Sequence, residues 1–189
     1  MSKLKLFGTT SHSFIQAAPT SSGETFTLPG EGASNPGLGG MYLSTPKAAN
    51  STSILFDDVP VWAKKITIMF QGVSVSVAVS DIRIRLGTSG GIISTGYLAV
   101  STNIDGTNTN STTHFIIRGI ETAYVNSGHY TITKFDSSTY IGTGLSRVNT
   151  SAQRYGSGEL TGVSGIIDRV EISAANAFDA GQINILYEG

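Results

Sequence analysis

The stretch from Ile82 to Leu86 has an aliphatic residue at every second position, and this alternation constrains the fold more than any other feature. Side chains on a β-strand point alternately to its two faces, so Ile82, Ile84 and Leu86 form one apolar face. Arg83 and Arg85 lie on the opposite face, which we expect to be exposed to water. The pattern predicts a strand of an antiparallel sheet, with Ile84 in the core.

The same two-residue period recurs elsewhere in the chain. The alternation is seen at residues 3–7, 65–70 and 73–79, and further strands are predicted at residues 12–16, 24–29, 53–56, 92–100, 114–118, 129–135, 140–141, 166–173 and 181–188. Gly72 is expected to end one of these strands, because glycine readily turns the backbone. From about Met41 onward, about eight to ten short strands separated by turns, without a convincing helix, predict an all-β, antiparallel, jelly-roll-like β-sandwich.

The composition is rich in hydroxyl groups and poor in charge. The chain has 24 Ser and 22 Thr among its 189 residues, and only 13% of its residues are charged. A net charge of −1 gives no overall field that would attract nucleic acid or an anionic membrane. Without Cys, disulfides and thiolate metal sites are excluded. The first residues lack the apolar core of a signal peptide, and no apolar run approaches a membrane span, so we expect synthesis in a cytoplasm and no membrane insertion.

A glycine-rich stretch divides the chain. Residues 30–40 contain five Gly and one Pro and no periodic pattern, which predicts a linker with a boundary near Gly40. Residues 1–40 therefore form an N-terminal segment, and residues 41–189 form the β-sandwich domain. The segment is too short for a core of its own. Its apolar residues, such as Phe14 and Phe26, are expected to be buried against neighbouring chains, which makes it an oligomerisation or anchoring segment.

No arrangement of residues indicates catalysis. The three histidines, His12, His114 and His129, are scattered without the spacing of a zinc site. Asp57 and Asp58 are neighbours whose side chains diverge on an extended chain, so they indicate a turn rather than an acid–base pair. The sequence predicts a protein that is not an enzyme, with no catalytic residue, no metal site and no cofactor.

Two long segments lack a clear period and are predicted to be polar loops, Ser101–Thr113 and Gly142–Gly158. The second carries Arg147, Arg154 and Tyr155 among many small polar residues. Guanidinium groups can bind the carboxylates of acidic sugars in pairs of hydrogen bonds, and a tyrosine ring can stack on a sugar face. These three residues are the predicted receptor-binding or glycan-binding site. A flexible spacer is an equally good interpretation of the loop.

Several segments together resemble bacteriophage tail-fibre proteins. Residues 13–29 follow the pattern of a short β-repeat of such fibres: an apolar strand, Ala-Pro, small residues, Gly, an alternating strand and Leu-Pro. The main domain resembles the C-terminal domain of these fibres at residues 66–74, 84–92, 94–97, 167–172 and 178–188. The resemblance covers nearly the whole chain and depends on strands and turns rather than on chemical motifs.

The resemblance implies a virion structural protein, made in the host cytoplasm, that is usually a homotrimer and displays a β-sandwich for host-surface attachment. The N-terminal segment would contact other virion proteins, and a host cell-surface glycan is a possible partner. The motifs carry no catalytic residue over to this chain. Because the repeat begins close to Met1 without a long shaft, a short fibre, a head fibre or a capsid decoration protein without receptor binding fits equally well.

Two other classes of function are compatible with parts of the sequence. A free-standing carbohydrate-binding module would be a monomer with a groove of exposed aromatic residues, and it would not need residues 1–40. A glycan-depolymerising enzyme would need paired carboxylates in a cleft. The acidic residues here are sparse and lie mostly in predicted turns, which disfavours the enzyme.

Overall fold

The computed structural model describes residues 3–7, 12–16, 40–77, 80–103, 106–120, 124–149 and 152–189, and these residues form strands, turns and bends without a helix. Every pair of neighbouring strands is antiparallel. The strands are β1 (Lys3–Phe7), β2 (His12–Gln16), β3 (Met41–Leu43), β4 (Lys47–Ala48), β5 (Ser53–Phe56), β6 (Lys65–Val75), β7 (Ser80–Thr88), β8 (Gly91–Ile92), β9 (Tyr97–Asn103), β10 (Asn108–Ser111), β11 (Phe115–Ile120), β12 (Asn126–Lys134), β13 (Tyr140–Val148), β14 (Ala152–Leu160), β15 (Arg169–Ser173) and β16 (Phe178–Glu188).

The strands are arranged in two packed sheets and one hairpin. The large sheet has the order β10-β9-β14-β13-β12-β6-β16-β3, with β4 also paired to β16. The small sheet has the order β11-β7-β15-β5, with β8 paired to β7, and β1 pairs with β2. The chain alternates between the two sheets from β5 through β6 to β7 and again from β15 to β16. The predicted all-β, antiparallel β-sandwich is confirmed, and the finer jelly-roll-like description stays a prediction.

The core lies between the inner faces of the two sheets. Ile82, Ile84 and Leu86 have no solvent exposure, which confirms the predicted orientation of β7. Phe115 is the partner of Ile84 on the neighbouring strand, and its ring meets that of Tyr97 edge to face at 5.1 Å between centroids. Fully burying an aliphatic or aromatic side chain of this size contributes about 1.5–3 kcal/mol, so these contacts account for much of the driving force for folding.

Gly72 does not end a strand, so that prediction is wrong. Strand β6 continues through Gly72, which has a positive φ of 65°. The partner positions shift at this point: Asn126 pairs with Val73 but Gly128 pairs with Phe70, so β6 holds one extra residue. A β-bulge of this kind bends a strand without ending it, and glycine favours the bulge because it tolerates positive φ.

The two segments predicted to be polar loops consist mostly of strands, so this prediction is also wrong. Within Ser101–Thr113, β9 extends to Asn103 and β10 begins at Asn108. Within Gly142–Gly158, β13 and β14 pair continuously from Tyr140 opposite Leu160 to Val148 opposite Ala152. Glycines stand where the inward positions of this hairpin would normally be apolar, so the usual apolar signal is missing from the sequence.

The predicted N-terminal strands at residues 3–7 and 12–16 are confirmed as β1 and β2. The third predicted strand, at residues 24–29, lies outside the described residues, as do residues 30–39 of the predicted linker. The division of the chain near Gly40 therefore remains a prediction.

Candidate functional site

The three residues of the predicted site are on one hairpin but not on one surface. Arg147 and Tyr155 are exposed on the face of the large sheet that is turned away from the small sheet, called here the outer face. Nη1 of Arg147 donates a hydrogen bond to the carbonyl oxygen of Asn149 at 2.8 Å. The hydroxyl of Tyr155 donates to Oε1 of Gln153 at 2.8 Å. Because both side chains are exposed, they remain accessible to a ligand.

Arg154 lies on the opposite face of the same strand and is 6% exposed. Its Nε donates a hydrogen bond to Oδ1 of Asn103 at 3.1 Å, and its guanidinium lies 5.6 Å from the ring centroid of Tyr124. These contacts tie β14 to β9 and to the segment that precedes β12. The expected site of Arg147, Arg154 and Tyr155 is therefore not assembled, because neighbouring residues of a strand point in opposite directions.

The outer face of the large sheet carries a patch of apolar side chains, which we call the outer apolar patch: the exposed Met41 and Leu43 and the half-buried Met69 and Leu186. Leu43 is 57% exposed and is the direct partner of Leu186 on β16. Leu43, Met69 and Leu186 line a depression of about 480 Å³. Amide side chains complete its lining, namely Gln71, Gln182 and Asn184.

The outer face is close to electrically neutral. Its described strand residues include two basic ones, Lys65 and Arg147, and three acidic ones, Glu159, Asp179 and Glu188, which gives a formal charge of −1. Nζ of Lys65 and Oε2 of Glu188 already form an ion pair at 2.9 Å. Five further exposed apolar or aromatic side chains extend the apolar character across β9, β13 and β14: Leu98, Val100, Ile141, Leu145 and Tyr155. A partner on this face would be recognised by shape and apolar contact rather than by charge.

The outward face of the small sheet is different, because arginines from two neighbouring strands lie on it. Arg83 and Arg85 come from β7 and Arg118 comes from β11. We call these three residues the arginine face. The sequence showed Arg83 and Arg85 on the polar side of their strand, but it did not indicate that β11 lies next to β7. The alternation of the apolar Ile117 with Arg118 is the sequence pattern from which the outward orientation of Arg118 could have been predicted.

Burial and hydrogen bonding shift the pKa of several titratable groups among the described residues. Burial raises the pKa of Tyr97, Tyr130 and Tyr187, so these phenols stay protonated. The hydrogen bond and charge of Arg169 lower the pKa of Asp168, which is held as a carboxylate. In the described part of the chain, no group of three or more histidine or acidic side chains is placed to hold a metal ion, and no helix could span a membrane.

Comparison of the chain with protein-family models, curated proteins and solved structures found no match.

Proposed function

We propose that this chain is a bacteriophage virion structural protein, a fibre or surface-appendage subunit that assembles as a homotrimer and acts in host attachment rather than in catalysis. The sequence resemblance to tail-fibre proteins supports the viral assignment. The outer apolar patch is the structural observation that carries the proposal, because it gives a β-sandwich a surface for self-association.

A second copy of this chain is the occupant that best matches the patch. Leu43 and Met41 are more than half exposed, and such side chains gain roughly 1.5–3 kcal/mol each when they are fully buried. The amides of Gln71 and Gln182 can each donate and accept hydrogen bonds, so they can pair with polar groups of the next subunit around a three-fold axis. The small net charge on the described part of the outer face disfavours a partner recognised by opposite charge.

The N-terminal segment has a separate role in this proposal. It connects the trimer to other virion proteins, which leaves the opposite end of the sandwich for contact with the host surface. Strand ends and hairpin tips suit recognition because their residues are free from the hydrogen-bond ladder of the sheet. A capsid decoration protein would share the assembly but would not bind host cells.

The viral assignment is tested on purified particles of the virus whose genome encodes this sequence. Peptides of the chain should be found by mass spectrometry in particles that have been washed in high salt, and gold-labelled antibodies should mark a fixed position on the particle. A non-structural viral protein from the same infection is the control and should be lost on washing. If the chain stays in the cell lysate with that control, the virion assignment is wrong.

A further inference from the structure

We propose that the arginine face binds the oxyanion groups of an acidic polysaccharide. The inference goes beyond the proposed function and does not depend on it, because one sandwich presents the whole face whatever its assembly state. Guanidinium groups are planar forks of N–H donors that match carboxylate and sulfate oxygens. A face that gathers several of them in one place is a natural site for such groups.

The pairing of the strands brings the arginines together. Arg83 is opposite Ile116 on β11 and Ser173 on β15. The register shifts between Ile117 and Ile120, but Arg118 directly follows the inward-facing, buried Ile117 and is partly exposed, which places it on the face of Arg83. Diagonal neighbours of this kind lie about 7–8 Å apart, which is within reach of two long side chains that share one ligand.

Two of the arginines have donors that the described residues leave unused. Nε of Arg83 and Nη1 of Arg118 are shielded from solvent and have no hydrogen-bond partner among the described residues. A shielded donor without a partner has lost its hydrogen bonds to water, which is unfavourable. An anion that accepts a hydrogen bond from it offsets that loss. Nε of Arg85 also makes no hydrogen bond of good geometry, but it lies 3.1 Å from Oε2 of Glu171 in an ion pair, so the charge of Arg85 is already paired. Arg83 and Arg118 are therefore the main ligand-binding residues.

The neighbouring histidine is consistent with a positive potential at this face. The pKa of His114 is lowered to about 4, first by burial and then by the charges of Arg83 and Arg85. His114 is therefore neutral at pH 7, and its Nδ1 lies 2.9 Å from Oγ1 of Thr113. Burial disfavours an ion of either sign, but the positive charges of Arg83 and Arg85, which disfavour a cation here, favour an anion.

The acidic residues among the arginines indicate a sugar rather than a nucleic acid. Asp81 and Glu171 offset two of these arginines, and Arg169 of β15, on the same face, is paired with Asp168. The formal charge of the face is therefore +1, which is too small for a polymer with a phosphate at every residue. Carboxylates also accept hydrogen bonds from hydroxyls: Oε1 of Glu171 already accepts from Oγ of Ser53 at 3.0 Å. A saccharide with one acidic group per unit supplies both the oxyanion for the arginines and hydroxyls for the carboxylates.

The test is affinity electrophoresis of the full chain in native gels that contain polygalacturonate, dextran sulfate, neutral dextran or duplex DNA. The site variant is Arg83→Gln with Arg118→Gln. The control variant is Lys64→Gln with Lys134→Gln, which removes the same charge from two exposed lysines away from this face. Circular dichroism verifies that both variants are folded.

Wild type and control should be retarded by polygalacturonate or dextran sulfate and not by neutral dextran, and the polymer that retards more identifies the oxyanion. The site variant should bind at least about tenfold more weakly, since each charge-assisted hydrogen bond is worth about that factor or more. Equal retardation of the two double variants would overturn the proposal. So would retardation by duplex DNA alone, by neutral dextran, or by none of the polymers.

Discussion

Tyr130 on β12 is the direct cross-strand partner of Gly144 on β13, and its ring occupies the space where a Cβ atom of Gly144 would lie. The same ring also covers Gly142 and Gly156. The inner side of the β13–β14 hairpin is therefore filled by an aromatic side chain from the neighbouring strand rather than by its own residues. Aromatic side chains are known to pack over glycines of adjacent strands in this way.

Gly144→Ala should destabilise the protein by about 1–3 kcal/mol, because the added methyl group overlaps with the Tyr130 ring and with the carbonyl oxygen of His129. Chemical denaturation followed by tryptophan fluorescence measures the change. Gly90→Ala is the control, since a Cβ atom there is 3.5 Å from its nearest neighbour, Oγ1 of Thr88, and makes ordinary contact. Equal stability of the two variants would show that the position of the Tyr130 ring does not require a glycine at position 144.

The packing of Tyr130 over these glycines also explains which parts of the fold could be predicted from the sequence. The orientation of β7 could be predicted, because Ile82, Ile84 and Leu86 carry the whole apolar pattern on one strand. The β13–β14 hairpin could not be predicted, because the group that buries its inner face belongs to Tyr130 on another strand. A pattern confined to one segment cannot reveal packing supplied from elsewhere.

The candidate sites also depend on which strands a local pattern can reveal and which strands only long-range packing brings together. In a loop, as the sequence predicts for residues 142–158, Arg154 and Tyr155 can contact the same ligand. On a strand they point to opposite faces, and Arg154 becomes a buried link to Asn103. The arginine face needs the pairing of β7 with β11, a long-range contact that no local pattern contains.

Ile84→Asp should cost at least about 3 kcal/mol, because it buries an unpaired charge and removes apolar contacts at a side chain with no exposure. Thermal unfolding or loss of soluble expression measures the effect. Arg83→Ser on the outward face of the same strand should remain folded, because its guanidinium has no hydrogen-bond partner among the described side chains to lose. Comparable melting of wild type and Ile84→Asp would mean that the two faces of β7 are assigned the wrong way round.

Ser101 is 1% exposed and connects the two sheets. Its Oγ donates to the carbonyl oxygen of Tyr155 at 2.8 Å and accepts from the backbone N–H of Arg118 at 2.9 Å. Ser101→Ala should cost about 1–3 kcal/mol in urea denaturation, because it removes both bonds in a buried environment. Ser157→Ala, on the exposed face of β14, should change stability by less than about 0.5 kcal/mol. A similar small change for both serines would exclude Ser101 as a link between the sheets.

Stability should fall on acidification, and His114 should contribute to that fall. Its pKa is lowered to about 4 from 6.5, so the unfolded chain takes up a proton that the folded chain does not. This contribution is constant above pH 6.5 and is lost as the pH decreases from 6.5 towards 4. The melting temperature of His114→Gln should therefore depend less on pH in that interval than that of wild type. His129→Gln, at an exposed histidine, serves as the control, and parallel curves for His114→Gln and wild type would contradict the assignment.

The native mass of the full chain in solution is the most direct test of the central claim that the outer apolar patch joins copies of this protein. Analytical ultracentrifugation of wild type should give three times the chain mass of 19.7 kDa. Leu43→Glu should shift the protein to 19.7 kDa, because a charge would be buried at the contact. Val61→Glu, at a side chain that is 70% exposed but away from the patch, should remain trimeric. A folded monomeric wild type, or a Leu43→Glu variant as trimeric as wild type, would contradict the account.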